Sequence, residues 1–414
     1  GVYKSNNGGI NNSWVSRNAG LAITQYYKIG TTEADPSLTI AGAQDNGTHL
    51  NDNGWDRVGG GDGMDCSISI GNPNVMYRSI YYGDFDKSTN GGNNFNATFN
   101  LPPAGSGNWV TPFISSRIST NTLYAGFDRL WKSTNGGASF NATTSNGIFG
   151  SNNIDVLAEA PGDPNTIYAG INNRLYHSSN GGTTWTWISS NIGSGNVITG
   201  IAVDPLNSNH IYISKSSYIS NAKVYESFNS GASWYNRSGS LPNIPTNCIA
   251  YQNNSNGIIY VGTDLGIYFR DASMSDWLPF NNGIPNTIVN DIEILNNEGI
   301  IRVGTYGRGV WESPLVSNFL VKPEANFAAF PENVCSTGDT IKIIDYSTNL
   351  PSYRNWNISP STFQYLNGTG PNSSEIDITL QQKGEYTIQL ISGNSYGSDT
   401  VSYTHLRAHE TRIH

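Results

Sequence analysis

Acidic, basic and aromatic side chains gather in three short glycine-bearing phrases of this 414-residue chain. QDNGTH carries Gln44, Asp45, Asn46 and His49, GGGDGMD carries Asp62 and Asp65, and GTYGRG carries Tyr306 and Arg308. Glycine lets a backbone come close to a ligand, so phrases of this kind suit binding loops. Asp45, Asp62 and Asp65 are candidate catalytic residues, because paired carboxylates are what glycoside hydrolysis needs. The same groups suit a hard cation or the hydroxyls of a sugar. Arg308 has the fork that grips a carboxylate. Gln44, Asp45, Asn46, His49, Asp62, Tyr306 and Arg308 are the candidate ligand contacts. A structural account competes: DNG and GDG are turn tripeptides, and Arg308 with Asp45 would make a salt bridge that locks a ring of sheets shut.

The elements that must position these residues are set by a repeat. KSNNGG at 4–9 returns as KSTNGGNNF at 87–95, KSTNGGASF at 132–140, HSSNGGTTW at 177–185 and ESFNSGASW at 226–234. Aligned on Gly92, Gly137, Gly182 and Gly231, the steps are 45, 45 and 49 residues, and the gap from Gly9 to Gly92 is 83. Such a period marks one supersecondary unit copied many times. Each unit holds four short β-branched or aromatic segments bounded by turn residues, as in VITGIAVDP, HIYISK, AKVYESF and SWYNRS. Four antiparallel strands per unit make a propeller blade. The first strand is read near 21–26, 65–70, 110–115, 154–159, 197–203, 247–252 and 289–295. The fold expected over residues 1–316 is therefore an all-β, seven-bladed β-propeller. SWVSR at 13–17 is expected to close the last blade as its outer strand, and the leftover GVYKS raises an eighth blade as the alternative.

The repeated phrase resembles the Asp-box of the BNR family, S-x-D-x-G-x-T-W, with Asn7, Asn90, Asn135, Asn180 and Asn229 at the acidic position. Asn accepts the same hydrogen bonds without the charge, which disfavours calcium at these turns. GLAITQYYKIG, AGAQDNGTH and GWDRVGGGDGMD, with GTYGRGVWES near the end, resemble secreted bacterial sortilin-like (VPS10-type) BNR-repeat propellers across about residues 1–315. From Lys322 the chain resembles a PKD-type immunoglobulin-like β-sandwich, expected over 317–404, with Trp356 in its core. That family's acidic W-x-F-G-D-G phrase is replaced here by Asn355-Trp356-Asn357-Ile358-Ser359, which puts calcium binding there in doubt. THLRAHETRIH at the end resembles translated sequencing-adapter read-through, and 405–414 is set aside as an artefactual tail.

Strand alternation sorts the loops of such blades onto two faces. The repeated turns join third to fourth strands and lie on one face. QDNGTH, GGGDGMD and GTYGRG lie on the other, and ring closure would bring Tyr306 and Arg308 near Asp45 and Asp62.

Composition narrows the partners. Only 13% of residues are charged and the net charge is −9 with no basic cluster, so nucleic acid is not an expected partner. No apolar run approaches a membrane span. Cys66, Cys248 and Cys335 are spread over separate units, which reads as buried single thiols. No metal and no cofactor is expected. The opening on GVYKS, mid-repeat, reads as a fragment of a longer chain. The resemblances imply a secreted or cell-surface bacterial protein, monomeric, that binds glycans or extracellular proteins without catalysis. Two alternatives stay open: a glycoside hydrolase of sialidase or xyloglucanase type, and sortilin-like peptide binding in the channel.

Overall fold

A computed structural model describes residues 3–10, 13–17, 23–99, 106–144, 149, 152–190, 192, 196–253, 255–281, 283–316, 322–330, 338–347, 351, 353–394 and 397–407. Two compact units emerge, Gly1–Leu315 and Val316–His414.

Among the described residues of the first unit, six four-stranded antiparallel sheets and one three-stranded sheet follow one another along the chain. Their inner strands are Tyr26–Gly30, Gly63–Ile68, Phe113–Ser115, Val156–Ala160, Ile198–Asp204, Thr246–Tyr251 and Val289–Leu295, which we number sheets 1 to 7. Each inner strand packs against the next, and Val289–Leu295 packs back on Tyr26–Gly30, so the array closes. The sheets are short, so each buries its flat sides only against its neighbours. The apolar cores accordingly lie between successive sheets, as with Tyr124, Leu130, Ile154 and Leu157 between sheets 3 and 4.

The repeated phrase forms the turn between third and fourth strands. In each copy the serine hydroxyl accepts the glycine N–H four residues on, at 2.8–3.0 Å for Ser88, Ser133, Ser178 and Ser227. The asparagine oxygen accepts the N–H four residues further, as Asn180 does from Thr184 at 2.8 Å. Both glycines take positive φ, for example 66° and 89° at Gly136 and Gly137. The turn's polar groups are thus consumed locally.

Three expectations change. The first strand of sheet 1 is Tyr26–Gly30 rather than 21–26, and residues 21–22 lie outside the described set. Sheet 7 has three strands, ending at Val310–Pro314. Trp14–Ser16 pairs with Tyr3–Ser5 as a separate hairpin instead of extending sheet 7. A hairpin between 3–5 and 14–16 needs only local contacts, whereas pairing with sheet 7 would join residues about 300 positions apart.

The second unit has a four-stranded sheet (Phe327–Phe330, Thr340–Asp345, Glu375–Leu380, Phe363–Leu366) and a three-stranded sheet (Tyr353–Ser359, Glu385–Asn394, Gly397–Arg407). Its core joins Trp356, Ile341, Ile343, Ile376, Tyr386 and Leu390. Trp356 is buried as expected, its indole N–H donating to the Ser373 carbonyl at 2.9 Å. The last strand pairs through Arg407, so residues 405–407 belong to the sheet although the tail boundary was read at 405. Residues 408–414 and Cys335 lie outside the described set. Cys66 and Cys248 are free, buried thiols.

Candidate functional site

Gln44–Asn46 form the turn between the second and third strands of sheet 1, with Asp45 at φ 58°. The Asp45 N–H donates to the Asp62 carboxylate, which arrives on the connection into sheet 2. Asn46 closes the turn by donating to the Gln44 carbonyl at 2.9 Å. Asp62 therefore ties one sheet to the next, and Asp45 leaves its own carboxylate exposed.

Tyr306–Gly309 form the matching turn of sheet 7. Tyr306 bridges to Gln25, and the N–H groups of Gly307 and Gly309 both donate to the Thr24 carbonyl at 3.2 Å. The Tyr306 ring lies 5.7 Å from Tyr27. Its hydroxyl titrates above the ordinary value, first through burial, then through Tyr27, with the Asp45 and Asp62 carboxylates adding to the rise. Closure of the ring thus brings Asp45, Asp62 and Tyr306 into one electrostatic neighbourhood.

Arg308 stays exposed. Its guanidinium donates to the Gly307 carbonyl at 3.2 Å, and it forms no salt bridge with Asp45. The locking pair is instead Lys28–Asp291 at 3.1 Å, with the Ile29 N–H also donating to Asp291 at 2.9 Å.

Two candidates lie elsewhere. His49 is inside the third strand of sheet 1, where its Nδ1 sits 2.9 Å from the Tyr26 hydroxyl. Burial pulls its pKa down. Asp65 is inside the first strand of sheet 2, accepting the N–H of Cys66 at 2.8 Å and of Phe113 at 2.9 Å. Burial pushes its carboxyl up to about 7, against the pull of Lys28. Asp65 is a strand residue and not part of the GGGDGMD loop, because strand pairing starts at Gly63.

Sequence reasoning passed over an aromatic row on the same face. Tyr81 and Tyr82 occupy the second-to-third-strand turn of sheet 2, and Trp109 precedes the first strand of sheet 3. Tyr81 and Trp109 stack at 5.6 Å and 12°, and Tyr82 meets Trp109 edge-on at 5.4 Å. All three are exposed, by 39%, 42% and 43%. The Trp109 indole N–H donates to the Tyr27 hydroxyl at 3.2 Å, and Tyr27 leads on to Tyr306. A signal was present: two tyrosines stand side by side in this turn, and no other second-to-third-strand turn among the described residues holds adjacent aromatics. Tyr82 even adopts φ 64°, a left-handed conformation that a bulky residue rarely takes without cause.

Behind the row, the seven inner strands surround a cavity of about 1060 Å³, lined among others by Tyr27, Lys28, Arg117, Asp291, Glu293 and Tyr306.

No known family model matches the chain, and neither does any curated protein sequence. Solved structures do. The GH74 xyloglucanase from Xanthomonas campestris aligns at TM-score 0.54 and 13% identity, over 80% of this chain and 59% of its own. An ancestral GH74 enzyme aligns at 0.58 and 14%, over 92% and 62%. YCF48 bound to D1 peptide aligns at 0.53 and 12%, over 72% and 94%. The fold is a β-propeller. This propeller chain spans about 60% of the two GH74 enzymes' length. At these identities the likeness speaks for the fold alone. No helix among the described residues is long and apolar enough to cross a membrane.

Proposed function

We propose that the propeller face carrying Gln44–Asn46, Asp62, Tyr81, Tyr82, Trp109 and Tyr306 is a glycan-binding surface of a secreted or cell-surface bacterial protein. On this reading the first unit is a seven-bladed Asp-box propeller and the second a PKD-type spacer. The observation that carries it is the exposed stack of Tyr81 and Trp109 running through Tyr27 to Tyr306. Flat aromatic faces bind the C–H side of sugar rings, and adjacent carboxylates and amides accept their hydroxyls. Asp45, Asn46 and the Gln44 amide stand at the end of that row. Retention on a panel of immobilised plant and bacterial polysaccharides tests the reading. Tyr81→Ala with Trp109→Ala should weaken retention by about tenfold or more, as loss of an aromatic anchor does. Equal retention of the double variant and the parent on every glycan rejects it.

Hydrolysis is the second reading, supported by the exposed Asp45 carboxylate beside Asp62 and by two neighbours that are GH74 enzymes. Asp62 already serves the Asp45 N–H, which favours binding without catalysis. Release of reducing ends from a retained polysaccharide, abolished by Asp45→Asn with folding intact, would replace the first reading by the second.

A further inference from the structure

The central cavity has a feature that the face does not explain. Arg117 follows the inner strand of sheet 3, and its guanidinium reaches Glu293, on the inner strand of sheet 7, at 2.7 Å. Sheet 3 packs against sheets 2 and 4, and sheet 7 against sheets 6 and 1, so this ion pair crosses the lumen instead of joining neighbours. The Arg117 side chain is 52% exposed and that of Glu293 only 19%. The arginine is thus the solvent-accessible partner of a largely buried acceptor.

The acceptor is built on rigid strands. Glu293 also receives the Thr31 hydroxyl at 3.3 Å, and Glu159, facing the same lumen, receives the Ser116 hydroxyl at 2.9 Å and the Arg117 N–H at 3.3 Å. Charge around them is unbalanced. Among the described residues Asp65, Asp155, Glu159, Asp264, Asp291 and Glu293 line the cavity against Lys28 and Arg117, and Lys28 is already committed to Asp291. Burial raises the Glu293 carboxyl, with Asp291 adding to the rise and Arg117 opposing it. Carboxylates crowded in this way gain from any further cation. Among the described residues no three potential ligands come together as a metal site, so a compact metal ion is the wrong shape. A cavity of about 1060 Å³ has room for a slender chain.

We propose that the channel binds an organic cation, a guanidinium or ammonium group on an aliphatic chain, which takes the place of the Arg117 guanidinium on Glu293. Arg117 is then an internal competitor, and its own contact shows that the lumen accepts a guanidinium at that point. Tyr27 and Tyr306 border both this cavity and the glycan surface, but Arg117 and Glu293 belong to the cavity alone. The ligand chemistry has two sources, an arginine side chain of a peptide or a polyamine.

Isothermal titration of the full chain with spermidine, and separately with a blocked arginine tetrapeptide, tests the proposal. Arg117→Ala should tighten binding of at least one probe by about fivefold or more, because the competitor is gone. Glu293→Gln should weaken the same probe by a similar factor, and affinity should fall as salt rises. Arg117→Lys keeps a competitor and should stay near the parent. Tightening for the peptide alone identifies a peptide ligand, and for spermidine alone a polyamine. Absence of saturable binding of either probe to Arg117→Ala, or equal affinity across the parent, Arg117→Ala and Arg117→Lys, overturns it. Circular dichroism checks each variant, and Arg117→Ala carries the decision should Glu293→Gln fail to fold.

Discussion

In four of the copies the residue before the repeat serine meets the buried tyrosine of its sheet's second strand. Lys87 lies over the Tyr77 ring at 5.8 Å, Lys132 over Tyr124 at 5.2 Å, and His177 stacks on Tyr168 at 4.9 Å. In sheet 5 the position is Glu226, which accepts the Tyr212 hydroxyl instead. A buried carboxylate needs compensation, and it receives it from His210 at 2.9 Å and Arg237 at 2.5 Å. His210 is gripped from its other nitrogen by Asp204 at 2.9 Å. Burial alone would raise Glu226, but these bonds outweigh it and hold the carboxyl down at about 2. Burial alone would lower His210, but its two carboxylates hold it above 6.5. The signs give a window. The Glu226 contribution is complete above its ordinary 4.5 and is lost as pH falls towards 2. The His210 contribution is complete below 6.5 and is lost as pH rises through its elevated value. Urea midpoints should therefore be highest between about pH 4.5 and 6.5. Glu226→Ala should cost about 3–5 kcal/mol there and flatten the profile, which denaturation series at several pH values would show.

At the scale of the strand, each second strand carries a small residue where the next sheet's inner strand crosses it. Gly42, Gly126, Gly170, Gly262 and Gly304 occupy the position in five sheets, and the buried Ser79 and Ser214 in the other two. A Cβ added at Gly42 would lie 2.0 Å from the Met64 carbonyl oxygen, and one at Gly304 would lie 2.9 Å from Ile29. The contact at Gly42 is backbone on backbone, so neither side can yield without moving a strand. Gly42→Ala should destabilise the first unit by about 1–3 kcal/mol or more, whereas Gly304→Ala, which meets a side chain, should cost less. Paired urea denaturation curves decide it, and equal midpoints for the two variants would remove the backbone argument.

For the molecule as a whole, stability of the first unit depends on closure. Sheets 7 and 1 are joined by Lys28–Asp291, by the Arg302 guanidinium donating to the Leu38 carbonyl at 3.1 Å, and by the Asn290 amide donating to the Tyr26 carbonyl at 2.9 Å. Each flat sheet buries both sides only when every neighbour is present. Removing residues 289–314 should uncover one side each of sheets 6 and 1. The remaining six sheets should bind a hydrophobic dye and lose their sharp calorimetric transition. A shortened chain that melts as sharply as the parent would show that closure is not required.

Much of this architecture is legible in the residues alone. Periodicity marks the four-stranded unit, and Ser, Asn and Gly at fixed offsets mark its turn, because both are local: alternation within a strand and hydrogen bonds within five residues. The order of loops on two faces follows from strand alternation, which groups Asp45, Asp62 and Tyr306. What needed the tertiary structure is pairwise and distant. Whether Asp65 faces a loop or a neighbouring strand's N–H depends on where pairing begins. Whether Tyr81, Trp109 and Tyr27 form one row depends on three sheets meeting. Whether Arg117 crosses to Glu293, 176 residues away, depends on the ring being closed. Such contacts arise from the packing of flat sheets around an axis, and no local pattern in the chain encodes their distances.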